Sequence, residues 1–303
     1  MKFAIVGAGA VGGYYGARLA RAGEEVHFLL RSDYAVVQEH GWRITDHEGR
    51  WELRPAHAHA RPETIGVCDA VIIAAKATAN PMLPPLVRPL LGPATLVLTL
   101  QNGLGNAEFH ATYAGAENVL GGLAFVCINR VAPGVIEKFI PGSVRIGELV
   151  GPARERTRDL ATRLAYAGVD CAAVDSLTEA LWRKLVWNIP FNGLTIAAGG
   201  VTTDVVLERP ELHARAWALM REVQLGAAAV GVQIPETFLQ RQIDVTYPMG
   251  AYKPSSLIDY LARREVEIEA IWGEPFRRAR AAGIALPRLW ELYAQLQKMC
   301  ART

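Results

Sequence analysis

The most constraining feature of the sequence is a glycine-rich turn near its amino end. Apolar runs at 3–6 and 25–30 and a helical pattern at 11–22 surround the segment Gly7-Ala8-Gly9-Ala10-Val11-Gly12. In a strand–turn–helix–strand unit the first glycine permits the tight turn, the second admits a pyrophosphate, and the third lets helix and strand pack closely. The helix N-terminus then offers free N–H groups to that pyrophosphate. We therefore predict that all six residues bind a dinucleotide; the alternative is a tight turn without a ligand.

The end of the second apolar run indicates which dinucleotide is bound. NAD-binding proteins usually place an acidic residue there, ~20 residues beyond the glycines, to bind the ribose 2′-hydroxyl. Residues 27–32 contain no carboxylate, and Arg31 stands beside Ser32 instead. A guanidinium suits a 2′-phosphate and gains nothing from a free hydroxyl, so Arg31 favours NADPH. The alternative is a solvated surface arginine.

The sequence pattern of the 303-residue chain changes near residue 175, from short apolar runs to long helical stretches. This change predicts two domains, 1–175 and 176–303. Short apolar runs alternate with amphipathic stretches in the first part, which predicts a parallel α/β sheet of the Rossmann type covered by helices. Further strands are expected at 70–75, 94–100, 119–128 and 135–146. The second part is predicted to be all-helical, with helices at 177–198, 214–229, 257–282 and 288–299.

Composition and charge narrow the classes of partner. Hydrophobic residues make up 51% and charged residues 20% of the chain, which is enough to bury sizeable cores. A net charge of +2 gives no electrostatic case for nucleic acid or an anionic membrane, and no apolar run reaches the ~20 residues of a membrane span. Four scattered cysteines without a C-x-x-C pair suit a reducing compartment, so we expect a cytoplasmic protein. His57 and His59 lack an accompanying cysteine or carboxylate cluster, so no metal site is predicted.

Lys184, Asn188 and Asn192 are spaced four residues apart, which places them on one face of a helix. Their neighbours are mainly apolar, and a lysine and two amides are costly to bury there unless they have partners. Two interpretations stay open: a satisfied buried polar ladder, or a polar stripe that faces a cleft.

Lys76 and Asn102 each follow an apolar run, at the carboxyl edge where α/β sheets bind ligands. This placement favours contact with the nicotinamide half of a dinucleotide. Both could instead be ordinary loop residues.

Taken together, these segments resemble one family, the ketopantoate reductases (2-dehydropantoate 2-reductases). The matching pieces are Gly7 to Gly13, Lys76, Leu100-Gln101-Asn102-Gly103-Leu104-Gly105, Trp182-Arg183-Lys184-Leu185, Asn188, Asn192, Lys253-Pro254-Ser255 and Glu267. They occur in the family's order over nearly the whole chain. The resemblance implies a Rossmann-type N-terminal domain, an all-α C-terminal domain and an active site in the interdomain cleft.

The resemblance also implies roles for individual residues. Lys184 matches the catalytic lysine, which would act as the general acid, and Glu267 matches a second catalytic residue that contacts substrate. Asn188, Asn192 and Ser255 match substrate-binding positions, and Asn102 would contact both substrate and cofactor. From the sequence alone, Ser255 could be only a helix N-cap and Glu267 a solvated carboxylate.

The implied activity is NADPH-dependent reduction of 2-dehydropantoate (ketopantoate), or of a close 2-keto acid, to the 2-hydroxy acid, as in pantothenate and coenzyme A biosynthesis. The partner would be this small-molecule substrate, and a homodimer is also considered. The chain departs from the family at residues 124–130 and at Gly193, which bears on the substrate. Two alternatives stay open: a related two-domain NAD(P)-dependent dehydrogenase of hydroxy acids, polyol phosphates or opines, and a non-catalytic NADPH-binding sensor.

Overall fold

The computed structural model of the protein describes residues 1–301, with the backbone alone at 140 and 141. The chain divides into two compact units. The first comprises Met1–Gln101 and Asn106–Leu177, and the second comprises Asn102–Gly105 and the chain from Thr178 onward. The short loop 102–105, which interrupts the first unit in the sequence, therefore belongs to the second unit. The predicted boundary after residue 175 stays a prediction.

One mixed sheet organises the first unit. Its strands within the described residues are β1 (Lys2–Val6), β2 (Glu25–Leu29), β3 (Trp42–Asp46), β4 (Gly49–Leu53), β5 (His57–His59), β6 (Ala70–Ile73), β7 (Leu96–Thr99), β8 (Val119–Ala132), β9 (Val135–Glu148) and β10 (Asp170–Ala173). They lie in the order β4-β3-β9-β8-β7-β6-β1-β2-β5, with β10 beside β9. The strands from β5 to β8 in this order run parallel, so their carboxyl ends meet at one edge. The predicted Rossmann-type sheet is confirmed.

The central strands are almost entirely apolar because helices cover both faces of a parallel sheet. Every residue of β6 and β7 is buried, and Phe3, Ile5 and Phe28 are fully enclosed. The helices of this unit are α1 (Ala10–Arg21), α2 (Tyr34–His40), α3 (Pro84–Val87), α4 (Asn106–Ala114) and α5 (Glu155–Tyr166). Strands β3 to β5, between residues 42 and 59, were not anticipated from the sequence.

The second unit is helical, as predicted. Its helices within the described residues are α6 (Leu177–Ala197), α7 (Thr203–Glu208), α8 (Pro210–Ala229), α9 (Glu236–Thr246), α10 (Ser255–Leu261), α11 (Glu274–Ala281) and α12 (Pro287–Cys300), with a π-helical turn at Glu269–Gly273. The core of this unit is built around Trp182, Phe191 and Trp272, none of which is exposed. No helix among the described residues has the length and apolarity required of a membrane span.

The single helix predicted over 257–282 is wrong. Helix α10 ends at Leu261, and Arg263 then adopts a φ of +52°, which a right-handed helix excludes. The N–H of Arg264 turns back to the carbonyl of Asp259 at 2.8 Å, and helical structure resumes only at the π-helical turn. Glu267 lies between these two elements, so its position is set by an irregular segment.

Candidate active site

Three of the predicted site residues form a hydrogen-bonded cluster in the second unit. Lys184 lies on α6, its side chain 6% exposed, and its Nζ donates to Asn102 Oδ1 at 2.7 Å. Asn102 Nδ2 in turn donates toward Glu267 Oε2 at 3.4 Å, and Glu267 is also buried. The Asn102 amide thus connects the ammonium to the carboxylate. The interpretation of Glu267 as a solvated carboxylate is wrong.

Burial changes the acidity of the ammonium. Removal from water disfavours the charged form and lowers the pKa of Lys184 to about 8, while the negative charge of Glu267 opposes that shift. A lysine with a pKa near neutrality is predominantly protonated at pH 7 and can release its proton readily. The cluster can therefore polarise a bound carbonyl oxygen and protonate it.

Asn102 is held in place by a close backbone approach. The next residue, Gly103, has a φ of +85°, and a Cβ there would lie 2.2 Å from the carbonyl oxygen of Ala270. The N–H of Leu104 donates to that same oxygen at 2.9 Å. The loop 102–105 is therefore docked on the π-helical turn, a feature that often marks functional sites. Only glycine fits at position 103.

The two asparagines of the polar stripe differ in their environments. Asn188 is 6% exposed, and its side chain makes no hydrogen bond to any of the described residues. A buried amide with unused hydrogen-bonding capacity suits a ligand. Asn192 is 2% exposed, and its Oδ1 accepts the N–H of Ser256 at 3.1 Å. Its oxygen therefore satisfies a free amide at the start of α10.

Ser255 opens α10 as an exposed residue in the first turn. The N-cap position is occupied by Pro254, and none of the described side chains caps the helix. The interpretation of Ser255 as an N-cap is therefore wrong. Its hydroxyl lies on the solvent-facing side of the helix start that Asn192 anchors.

The glycine turn of the first unit has the geometry that a pyrophosphate site requires. Gly7 has a φ of +84°, and a Cβ there would lie 2.2 Å from the backbone nitrogen of Ala75. A Cβ at Gly12 would lie 2.7 Å from the Gly7 carbonyl oxygen, whereas a Cβ at Gly9 would meet no described atom within 4 Å. The backbone is thus open at Gly9, where α1 begins and its first amides have no intrahelical acceptor.

The structure adds an acidic residue that sequence reasoning missed at the end of β2. Arg31 and Ser32 are exposed, but Asp33 is only 3% exposed. Asp33 Oδ1 accepts from Ser32 Oγ at 2.9 Å and from the guanidinium of Arg130, and Oδ2 accepts the N–H of Gly134 at 3.2 Å. Burial alone would raise the pKa of Asp33, but these hydrogen bonds outweigh it and lower the pKa. Both oxygens of Asp33 thus accept hydrogen bonds from within the protein.

The histidines noted in the sequence lie on neighbouring strands. His59 on β5 has its Nε2 2.9 Å from Nδ1 of His27 on β2, and the ring of His57 stacks obliquely near His27. Within the part of the chain that the structure describes, no group of three or more His, Cys, Asp or Glu side chains is arranged to hold a metal ion.

Comparison with known proteins identifies the family. Two family models, described as Ketopantoate reductase PanE/ApbA and Ketopantoate reductase PanE/ApbA C terminal, match residues 3–151 and 176–299. The chain belongs to the ketopantoate reductase family. A 2-dehydropantoate 2-reductase of Nostoc is 37% identical over 99% of this chain and 96% of its own length.

Solved structures of this reductase family share the fold over the full length. The 2-dehydropantoate 2-reductase of Geobacter metallireducens is 41% identical with a TM-score of 0.96, covering 98% of this chain and 99% of its own. That of Methylococcus capsulatus is 33% identical with a TM-score of 0.92, covering 100% of this chain and 97% of its own. These relatives bear out the family resemblance seen in the sequence.

A second feature that sequence reasoning missed in this chain is a buried series of side-chain hydrogen bonds in the first unit. Gln101 Oε1 accepts from His110 Nε2 at 2.7 Å and from Thr99 Oγ1 at 2.9 Å. Gln101 Nε2 donates to Asn80 Oδ1 at 2.7 Å, and Asn80 Nδ2 donates to Asn106 Oδ1 at 3.0 Å. Burial lowers the pKa of His110 to about 4, so its ring is neutral at pH 7. This series of hydrogen bonds ties together the loops that follow β6 and β7.

The first of those loops contains Lys76, which is half-buried directly after β6. Lys76 therefore lies at the carboxyl edge of the parallel strands, as predicted. It is four residues before Asn80, which accepts the hydrogen bond from Gln101. A sequence motif could not have revealed the hydrogen-bond chain, because its members come from three separate segments.

Proposed function

We propose that the protein reduces 2-dehydropantoate (ketopantoate), or a close 2-keto acid, to the 2-hydroxy acid with NADPH as the hydride donor, as in pantothenate and coenzyme A biosynthesis. The observation that carries this proposal is the buried arrangement of Lys184, Asn102 and Glu267 in a chain whose relatives are 2-dehydropantoate 2-reductases.

Lys184 would serve as the general acid. Reduction forms a C–H bond at the carbonyl carbon and breaks the C=O π bond, whose electron pair goes to the oxygen. The Lys184 ammonium would hydrogen-bond that oxygen and transfer its proton to it as the charge develops. Glu267 and the Asn102 amide would hold the ammonium in position and favour its charged form.

The substrate would be held by amide and hydroxyl groups of the same unit. Asn188 has donor and acceptor capacity that the described residues do not use. Asn192 of α6, whose side chain contacts the start of α10, and Ser255, the first residue of α10, would contribute to binding the carboxylate or hydroxyl groups of the keto acid. Asn102 would contact both substrate and cofactor.

The first unit fits a dinucleotide on the evidence of its own backbone and side chains. The segment from Gly7 to Gly12 would cradle the pyrophosphate, Arg31 would bind the 2′-phosphate, and Lys76 would lie by the nicotinamide half. When bound, NADPH supplies the hydride. Asp33 is buried and hydrogen-bonded to Ser32, Arg130 and Gly134, and Arg31 beside it is exposed, which supports NADPH over NADH.

Steady-state consumption of NADPH against a panel of 2-keto acids tests the activity. We expect ketopantoate to give the highest kcat/KM, and Lys184→Ala to lower kcat by at least ~100-fold while NADPH affinity stays within about twofold. Lys298→Ala, which removes an exposed lysine of the same unit, is the matched control. Preference for another keto acid would favour a related dehydrogenase, and no turnover of any acid despite NADPH binding would favour a sensor.

The cofactor assignment has its own test. Arg31→Ala should weaken NADPH binding by about tenfold or more and leave NADH nearly unchanged, because only NADPH has the charge that a guanidinium binds. Equal effects on both dinucleotides would refute the assignment. The homodimer and the cytoplasmic location stay predictions.

A further inference from the structure

Arg130, near the end of β8, presents a cation at the end of β2. One nitrogen of its guanidinium, Nη1, bonds Asp33 Oδ1, the same oxygen that accepts from Ser32 Oγ. Because both groups bond one atom, Nη1 and the Ser32 hydroxyl lie no more than two hydrogen-bond lengths apart, roughly 6 Å. Ser32 directly follows Arg31 in the sequence, so Arg31 is one residue away from the hydroxyl that shares this carboxylate oxygen with Arg130.

Asp33 holds the Arg130 side chain and the turn after β8 in place. It is buried at the start of α2 and also accepts the N–H of Gly134 in the turn between β8 and β9. The carboxylate therefore anchors the tip of a long hairpin and the Arg130 side chain together. It neutralises one positive charge and leaves the other at the surface.

The guanidinium of Arg130 is only partly used by this anchor. Its side chain is 40% exposed, and Asp33 is its hydrogen-bond partner among the described residues. A guanidinium carries five N–H donors in a planar fork, so several remain available to a ligand. Planar, rigid donors of this kind match phosphate oxygens.

We propose that Arg130 is a second binding residue for the 2′-phosphate of NADPH, and that Asp33 is the positioning residue that orients it. The inference rests on the proposed NADPH dependence. Because Asp33 offsets one of the two positive charges, Arg130 would contribute chiefly its remaining guanidinium N–H donors. These donors match phosphate oxygens, whereas a 2′-hydroxyl would gain little from them.

The alternative is that the Asp33–Arg130 pair only fastens the hairpin to α2. A fastening role predicts that loss of Arg130 weakens both dinucleotides alike or lowers stability. A phosphate-binding role predicts a change confined to ligands with a 2′-phosphate. The two roles therefore differ in ligand selectivity.

The test compares the dissociation constants of NADPH and NADH, and of 2′,5′-ADP and ADP, for the full-length protein and Arg130→Met. We expect Arg130→Met to weaken NADPH and 2′,5′-ADP by about tenfold, the usual size of a charge-assisted hydrogen bond, with NADH and ADP within about twofold. Arg130→Lys should recover part of the loss. Arg145→Met, which removes a comparably half-exposed arginine from an ion pair on β9, is the matched control and should change none of the four.

Asp33→Asn separates positioning from binding. It keeps the shape of the side chain but removes the charge that orients Arg130, so NADPH should weaken by less than in Arg130→Met, with NADH unaffected. Equal weakening of NADPH and NADH by Arg130→Met, or no change in either, would overturn the inference. A wild-type protein that binds NADH as tightly as NADPH would instead overturn the proposed cofactor, so the two failures are distinguishable.

Discussion

Catalysis by this protein should decline as the pH rises through about 8. Burial lowers the pKa of Lys184 to about 8, and only the ammonium form can donate a proton to the carbonyl oxygen. Each pH unit above the pKa lowers the protonated fraction about tenfold, so kcat/KM at pH 10 should lie about 100-fold below its plateau. An unperturbed lysine would keep its activity to above pH 10.

Glu267 provides the internal check on this assignment, because its charge raises the pKa of Lys184. With the Asn102 amide between them, the two charges are about 6 Å apart, and at an effective dielectric constant of ~20 their attraction is about 3 kcal/mol, or up to ~2 pKa units. Glu267→Gln should therefore move the alkaline limb toward pH 6. The variant should be impaired at pH 7 and should recover as the pH falls below 6.

The assay is the initial rate of NADPH oxidation with ketopantoate between pH 5 and 10, in buffers of constant ionic strength. Lys298→Ala removes an exposed lysine and should reproduce the wild-type profile. A profile that is flat to pH 10, or a limb at the same pH in wild type and Glu267→Gln, would refute the reasoning. An acid-side recovery of Glu267→Gln would be hard to explain by structural damage alone.

Three further outcomes concern stability, each measured by urea unfolding. Lys184→Met should raise the free energy of unfolding at pH 7 by about 1–3 kcal/mol, because the pKa of Lys184 is lower in the folded state than in the unfolded state. The wild type regains that stability only as the pH rises from about 8 to 10.5. An unchanged or lower free energy of unfolding in the variant would contradict this. The pKa of His110, about 4 in the folded state, predicts a loss of about 3 kcal/mol as the pH falls from 6.5 to 4, which His110→Gln should lack; parallel pH profiles would contradict it. Asn192→Ala leaves the buried N–H of Ser256 without its acceptor and should cost about 1–3 kcal/mol at any pH, so a neutral result would show that Ser256 finds another partner.

The Rossmann-type fold could be predicted because its determinants are local. The Gly7–Gly12 turn constrains the backbone directly, and the positive φ of Gly7 and the close packing at Gly12 are properties that glycine alone supplies. The buried parallel strands are also recognisable locally, because strands covered on both faces appear as apolar runs in the sequence. Such signals need no knowledge of distant segments.

Two features of the structure could not be predicted from the sequence pattern. The helical pattern over 257–282 is continuous in composition, yet Arg263 adopts a positive φ and breaks it. Loop 102–105 follows a strand of the first unit, but its hydrogen bond to Ala270 assigns it to the second. Helix propensity does not reveal the positive φ of Arg263, and strand order does not reveal the hydrogen bond between Leu104 and Ala270.

For the polar stripe of α6, too, the local structure could be predicted from the sequence but the surroundings of each side chain could not. Its four-residue spacing correctly placed Lys184, Asn188 and Asn192 on one helix, but their environments could not be told apart. One amide is tied to the start of α10, and the other has unused capacity among the described residues. Asn192 therefore has a hydrogen-bond partner within the protein, as a satisfied ladder would require, whereas the ligand-facing interpretation stays a prediction.

The energetics of the cluster favour a chemical role over a structural one. A buried ammonium costs stability, and the lowered pKa of Lys184 reflects that cost. A leucine or methionine at this position of α6 would pack against the surrounding apolar side chains without it. The neighbouring charge of Glu267 offsets only part of the penalty, since the pKa stays well below 10.5. What the unfavourable burial does provide is an acid whose pKa lies near neutrality, which is the property that proton donation to a carbonyl requires.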